Sequence, residues 1–176
     1  MNFSRVLVYS LIFIVSCTNS NVNLDNQNQR LKDTEGWKEY NPMPDVSLRL
    51  PINWHVYEGE PGAYVENCDE EFCTNLVCYT LDDVGKRTIE DVKKLFLKAM
   101  KNRSSKFEMI STKKGDNIMT IAYYYTHVDY ALELTGSVRI WIKNNKIYVF
   151  QISGLRRDYK KINAKTERIF STITIS

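Results

Sequence analysis

The chain has 176 residues, 43% of them apolar and 26% charged, with 24 Lys and Arg against 21 Asp and Glu. These values exclude a mainly disordered chain, a collagen-like chain and a multi-pass membrane protein, and the length suits one domain. A net charge of +3 is too small to argue for nucleic acid as a partner.

The first segment is an address. Arg5 precedes an apolar run from Val6 to Val15, broken only by Ser10. The run is too short to span a bilayer, which takes about 20 residues. It fits the core of a signal peptide over residues 1–16. Ile14-Val15-Ser16-Cys17 then resembles the lipobox of bacterial lipoproteins. The resemblance implies cleavage between Ser16 and Cys17 and lipidation of the Cys17 thiol. Two or more acyl chains hold a protein stably at a membrane. Thr18, in a position where Asp often signals inner-membrane retention, favours the outer membrane over the inner one. The expected location is the bacterial cell envelope.

Residues 17–36 hold the lipidated cysteine and a polar tether with five Asn and two Gln. Nothing there can bury a core. From Trp37 the composition changes, and residues 37–176 read as a single globular domain. Val46, Leu48 and Leu50 alternate with polar neighbours up to Pro51, which predicts a strand. Trp54 and Val56 continue the alternation, and residues 63–67 and 75–81 predict two more strands.

Residues 88–102 predict a helix. Thr88 and Asp91 form a capping-box-like start, and Ile89, Val92, Leu95, Phe96, Ala99 and Met100 recur on one face. Lys93, Lys94, Lys98 and Lys101 lie on the other, solvated face. Four strands follow: Phe107–Lys113, Ile118–Tyr125, Tyr130–Lys143 and Lys146–Ser153. Asn144-Asn145 can supply the positive φ values of a two-residue hairpin turn. That turn sets Ile142 against Ile147 and Ile140 against Val149. Leu132, Leu134, Val138, Ile140, Ile142, Ile147 and Val149 then share one core face. The opposite face carries Arg139, Trp141, Tyr148 and Phe150, with Tyr123 and Tyr125 placed beside them. Either a helix covers this face, or Arg139, Trp141 and Tyr148 form a binding face of the kind that dominates interfaces. Residues 158–170 predict a second helix. The fold class is α+β, an antiparallel sheet of about six strands with helices packed on its faces.

The element order and several local cues resemble the PsbP/Mog1-like superfamily. The cues are Leu48-Arg49-Leu50-Pro51 with Trp54 after it, the helix begun by Thr88, and the long hairpin ending Ile147-Tyr148-Val149-Phe150. A final helix with Tyr159 and Phe170 completes the match. The resemblance implies an antiparallel sheet between helices, used as a binding or assembly module. It carries no catalytic signature and does not include the Cys68–Cys78 segment.

Three cysteines lie within the domain. A hairpin of strands 63–67 and 75–81 sets Cys68 opposite Cys73 and Val65 opposite Leu76. In an oxidising compartment that predicts a Cys68–Cys73 disulfide, worth about 2 kcal/mol for so small a loop. Cys78 is expected to be a small buried apolar residue. No metal site is expected: the cysteine gaps do not match zinc spacing, and His55 and His127 lie far apart, the latter in a predicted turn. No cofactor is expected either, since the seven glycines are dispersed and no Cys-x-x-Cys or Gly-x-Ser-x-Gly occurs. The leading reading is therefore a non-catalytic lipoprotein, held by its lipid anchor, with a protein partner. The alternatives are an envelope enzyme whose site joins His55 or His127 to a carboxylate only in three dimensions, and a toxin-neutralising immunity-type lipoprotein.

Overall fold

A computed structural model describes residues 36–57, 64–68, 73–81 and 87–176. The expected signal peptide, Ser16, Cys17 and the expected tether up to residue 35 lie outside the described residues. Among the described residues, ten strands and two helices follow in chain order: β1 (Trp37–Met43), β2 (Val46–Pro51), β3 (His55–Tyr57), β4 (Tyr64–Cys68), β5 (Cys73–Leu81), α1 (Ile89–Arg103), β6 (Ser104–Lys114), β7 (Ile118–His127), β8 (Glu133–Lys143), β9 (Lys146–Leu155), α2 (Tyr159–Ser171) and β10 (Thr174–Ile175). A single 3-10 turn, Arg156–Asp158, joins β9 to α2.

The strands form two antiparallel sheets. The long sheet has seven strands in the order β3-β4-β5-β9-β8-β7-β6, and the small one has three, β1-β2-β10. Pro51-Ile52-Asn53 explains the division. The strand break read in the sequence is the point where the chain leaves the small sheet and enters the long one. β1 escapes sequence patterning because it is an edge strand with a bulge between Tyr40 and Met43 and no clean alternation of burial.

α1 covers one face of the long sheet. Thr88 and Asp91 close a reciprocal capping box, and Ile89, Val92, Phe96 and Met100 are buried. They pack on Val138, Ile140, Ile147 and Val149. The β8–β9 register is the expected one, Ile142↔Ile147 and Ile140↔Val149. Asn144 and Asn145 turn the chain at φ 52° and 59°. The other face is covered by α2 and the small sheet together. Tyr148, Phe150 and Ile152 there meet Leu48, Leu50, Ile169 and Phe170. The domain thus has a helix, a sheet, and then a mixed layer of helix and small sheet.

Three placements depart from the sequence reading. Tyr123 pairs with Gly136 and Tyr125 with Leu134. Paired residues share a face, so both tyrosines belong under α1 and not beside Trp141. Leu132 lies outside the core at 38% exposure, because β8 begins only at Glu133. His127 is no turn residue: it ends β7 and is buried.

Candidate docking surface at one end of the long sheet

The face expected to offer Arg139, Trp141 and Tyr148 is covered. Tyr148 is fully buried and donates to Oδ2 of Asp45. The Arg139 guanidinium lies 4.8 Å from the Phe170 ring centre, and it donates to the Phe170 carbonyl and to Oγ1 of Thr120. Trp141 is half-buried against the same core. This corrects the binding-face reading of the three residues. The aromatics that needed a cover have one, in α2 and the small sheet.

Exposed apolar side chains gather elsewhere. The β7–β8 loop carries Val128, Tyr130 and Leu132 at 58%, 47% and 38% exposure. The backbone folds tightly there. His127 closes the turn from both of its backbone groups: the Ala131 N–H donates to the His127 carbonyl, and the His127 N–H donates to the Leu132 carbonyl, both at 3.0 Å. Ala131 adopts φ 52°, a left-handed conformation that costs a non-glycine residue about 1 kcal/mol or more. Nδ1 of His127 accepts from the Asp129 N–H at 3.2 Å, and the His127 ring lies 4.9 Å from that of Tyr130. Burial holds the imidazole below its ordinary 6.5; the Asp129 carboxylate opposes this and Arg103 adds to it. The ring is therefore neutral near pH 7, and it is the inner pin of an apolar loop.

The register puts four other features at this end of the sheet. Ser104 pairs with His127, so the end of α1 abuts the loop, and the Val128 N–H reaches the Arg103 carbonyl at 3.4 Å. Lys106, beside Thr126, is exposed. Glu133, Leu155, Arg156 and Arg157 line a hollow of about 490 Å³ where β8 starts and β9 ends. Arg156 holds one wall: its guanidinium is 4.4 Å from the Tyr124 ring centre and 3.5 Å from the Glu133 carboxylate. Tyr124 in turn meets Tyr159 edge-on at 5.2 Å. The result is an exposed apolar tip between cations, suited to docking. The sequence reading missed it because Leu132 keeps step with Leu134 and so reads as strand.

The remaining sites of the sequence reading separate. Cys68 and Cys73 are opposite each other in the backbone register, as are Val65 and Leu76. The side chains of Cys68 and Cys73 lie outside what is described. Cys78 is fully buried, and burial pushes its thiol far up. His55 is exposed at the start of β3, while His127 ends β7 on the far side of β4, β5, β9 and β8. Among the described residues no three His, Cys, Asp or Glu gather as a metal site, and no helix is long and apolar enough to cross a membrane.

No protein-family model and no curated protein matches the chain. Solved structures do match its shape. PA94 of Pseudomonas aeruginosa, a protein of unknown function, superposes with a TM-score of 0.58 at 9% identity over 80% of this chain and 97% of that one. The cyanobacterial PsbP (CyanoP) of Synechocystis sp. PCC 6803 gives 0.58 at 14% identity over 80% and 92%. LpqN of Mycobacterium tuberculosis, described as involved in cell envelope biogenesis, gives 0.55 at 13% identity over 90% and 99%. The fold is therefore PsbP-like and α+β.

Proposed function

We propose that this PsbP-like domain belongs to an envelope lipoprotein, anchored through Cys17 with the outer membrane favoured, that works as a non-catalytic binding or assembly module. The observation that carries the reading is the exposed trio Val128, Tyr130 and Leu132 beside Arg156 and Arg157. Apolar side chains of that size cost free energy in water, and an aromatic beside arginine is the composition of an interface centre. The lipobox-like Ile14-Val15-Ser16-Cys17 supports the anchor, and the likeness to LpqN supports an envelope setting. The anchor would supply the membrane, and the sheet end would supply the contact.

The test is association with isolated envelopes. The chain from residue 17 onward, carrying Cys17→Ala so that no lipid contributes, is mixed with envelopes and sedimented. Binding that Tyr130→Ser with Leu132→Ser abolishes, at an unchanged melting temperature, is the expected result. Binding indifferent to those two changes would remove the sheet end as the docking surface.

A further inference from the structure

The Val128–Leu132 loop and its flanking cations fit one partner chemistry better than any other. Resting on the docking reading above, we infer that this end of the sheet seats on an anionic phospholipid surface, the loop entering the interface and the cations meeting headgroups.

Charge is the first argument. Residues 101–106, where α1 ends and β6 starts beside the loop, carry Lys101, Arg103 and Lys106 and no Asp or Glu. Lys101 and Lys106 bring that excess to the loop from the α1 side, and both are exposed. Arg156 and Arg157 flank the loop from the β9 side, both exposed. Four acids lie nearby: Glu108, exposed on β6 two residues from Lys106, and three that are faced by cations or by the histidine. Glu133 is 3.5 Å from Arg156, Asp158 is 3.9 Å from Arg157, and Asp129 is 3.9 Å from Nδ1 of His127. Lys101, Arg103, Lys106, Arg156 and Arg157 outnumber these four acids by one, a small excess of positive charge at the tip.

Shape is the second argument. Here the apolar residues stand exposed on the turn between β7 and β8, with Lys106 on one flank and Arg156 on the other. Tyr130 has the amphipathic ring that settles at headgroup level. Lys and Arg can lay their stems along the apolar surface and raise their charges to the headgroups. The loop is pinned from inside by His127, so its entry demands little ordering of the backbone.

The probe is a sedimentation assay with vesicles, using the chain from residue 17 onward with Cys17→Ala. One set is phosphatidylcholine alone; the other mixes it in equal parts with phosphatidylglycerol. Binding is expected on the mixed vesicles, weak on the neutral ones, and falling as salt rises. Tyr130→Ser with Leu132→Ser should weaken it about tenfold or more. Lys106→Gln with Arg157→Gln should weaken it about 25-fold, near fivefold for each cation. Lys113→Gln with Lys114→Gln removes the same charge at the opposite end of the sheet and should change little. Mixed-vesicle binding that the loop pair leaves intact, or that the Lys113 and Lys114 pair weakens equally, overturns the inference. Failure on both vesicle types with loop-dependent binding to envelopes retained would overturn the lipid partner and leave the module reading standing. Failure on vesicles and envelopes alike would remove both.

Discussion

Tyr148, fully buried on the long sheet, donates its hydroxyl to Oδ2 of Asp45, which lies in the turn between β1 and β2 of the small sheet. Nζ of Lys146 stands 3.4 Å from the same oxygen. The phenol and, less strongly, the lysine hold the Asp45 carboxyl below its ordinary 3.8. A carboxyl depressed on folding stabilises the fold above its unfolded pKa, and that contribution is lost as pH falls through the folded value. Tyr148→Phe should therefore cost about 1–2 kcal/mol at neutral pH and much less in acid. Urea unfolding of both proteins at about pH 7 and about pH 3 measures this; an equal cost at both would show that the Asp45 charge plays no part.

Gly136 lies beneath the Tyr123 ring. A Cβ at Gly136 would stand 2.6 Å from both Cζ and the hydroxyl oxygen. Tyr123 is fully buried and packed between the rings of Phe96 and Phe107, at 5.5 and 5.7 Å, so it has no room to retreat. Gly136→Ala should cost about 1–3 kcal/mol by overpacking. Trimming the ring with Tyr123→Leu should relieve part of that cost, so the double variant should be less destabilised than the two single changes summed. Strict additivity in thermal unfolding would contradict the packing account.

The α1 cap was legible because Thr88 and Asp91 form it locally. The β8–β9 hairpin was legible because Asn144-Asn145 fixes its register and alternation then sorts the side chains. The faces of β7 were not. Tyr123 and Tyr125 alternate as a strand should, yet only pairing with Gly136 and Leu134 decides which side they take. The cover over Tyr148 and Phe150 was half legible: α2 could be read from its spacing. The small sheet could not, because β10 is two residues long and β1 has no clean alternation. The docking loop was hidden for the opposite reason. Tyr130 and Leu132 keep step with Leu134 and so read as strand, and only the left-handed turn at Ala131 breaks the run. That turn is closed by backbone hydrogen bonds of His127 with Ala131 and Leu132, a local geometry that residue types alone do not specify.

Cys17 should carry the anchor. The Ile14-Val15-Ser16-Cys17 order after a short apolar run motivates this. In cells, Cys17→Ala should block maturation or release the protein from membranes on fractionation. A variant that matures to the same size and remains with membranes would refute lipidation at this residue.

The domain cysteines should divide by chemistry. The backbone opposes Cys68 to Cys73 at the mouth of the β4–β5 hairpin, which motivates a disulfide between them. Cys78 should stay a thiol, inert because burial disfavours the thiolate. In exported protein without reductant, alkylation of the native state should label none of the three, and unfolding should expose Cys78 alone. Labelling of Cys68 and Cys73 under those conditions would dismiss the bridge.

His127 should make the docking loop sensitive to acid. Its neutral Nδ1 accepts from the Asp129 N–H, and its carbonyl and N–H close the turn with Ala131 and Leu132. Arg103, Asp129 and Tyr130 are the charged or titratable groups around the ring. Burial depresses the folded pKa below the unfolded value of 6.5. A buried neutral histidine therefore favours folding above 6.5, and this advantage shrinks as pH falls, because the unfolded chain takes up the proton first. Once the ring is charged, Nδ1 becomes a donor, the bond from Asp129 is lost, and Arg103 repels the ring. Amide exchange at His127, Asp129 and Ala131 should then accelerate beyond the intrinsic pH trend as pH drops through and below 6.5. His127→Gln keeps a side-chain acceptor and removes the titration, so its loop should show no such step. A step that persists in His127→Gln would assign the acid sensitivity to another group.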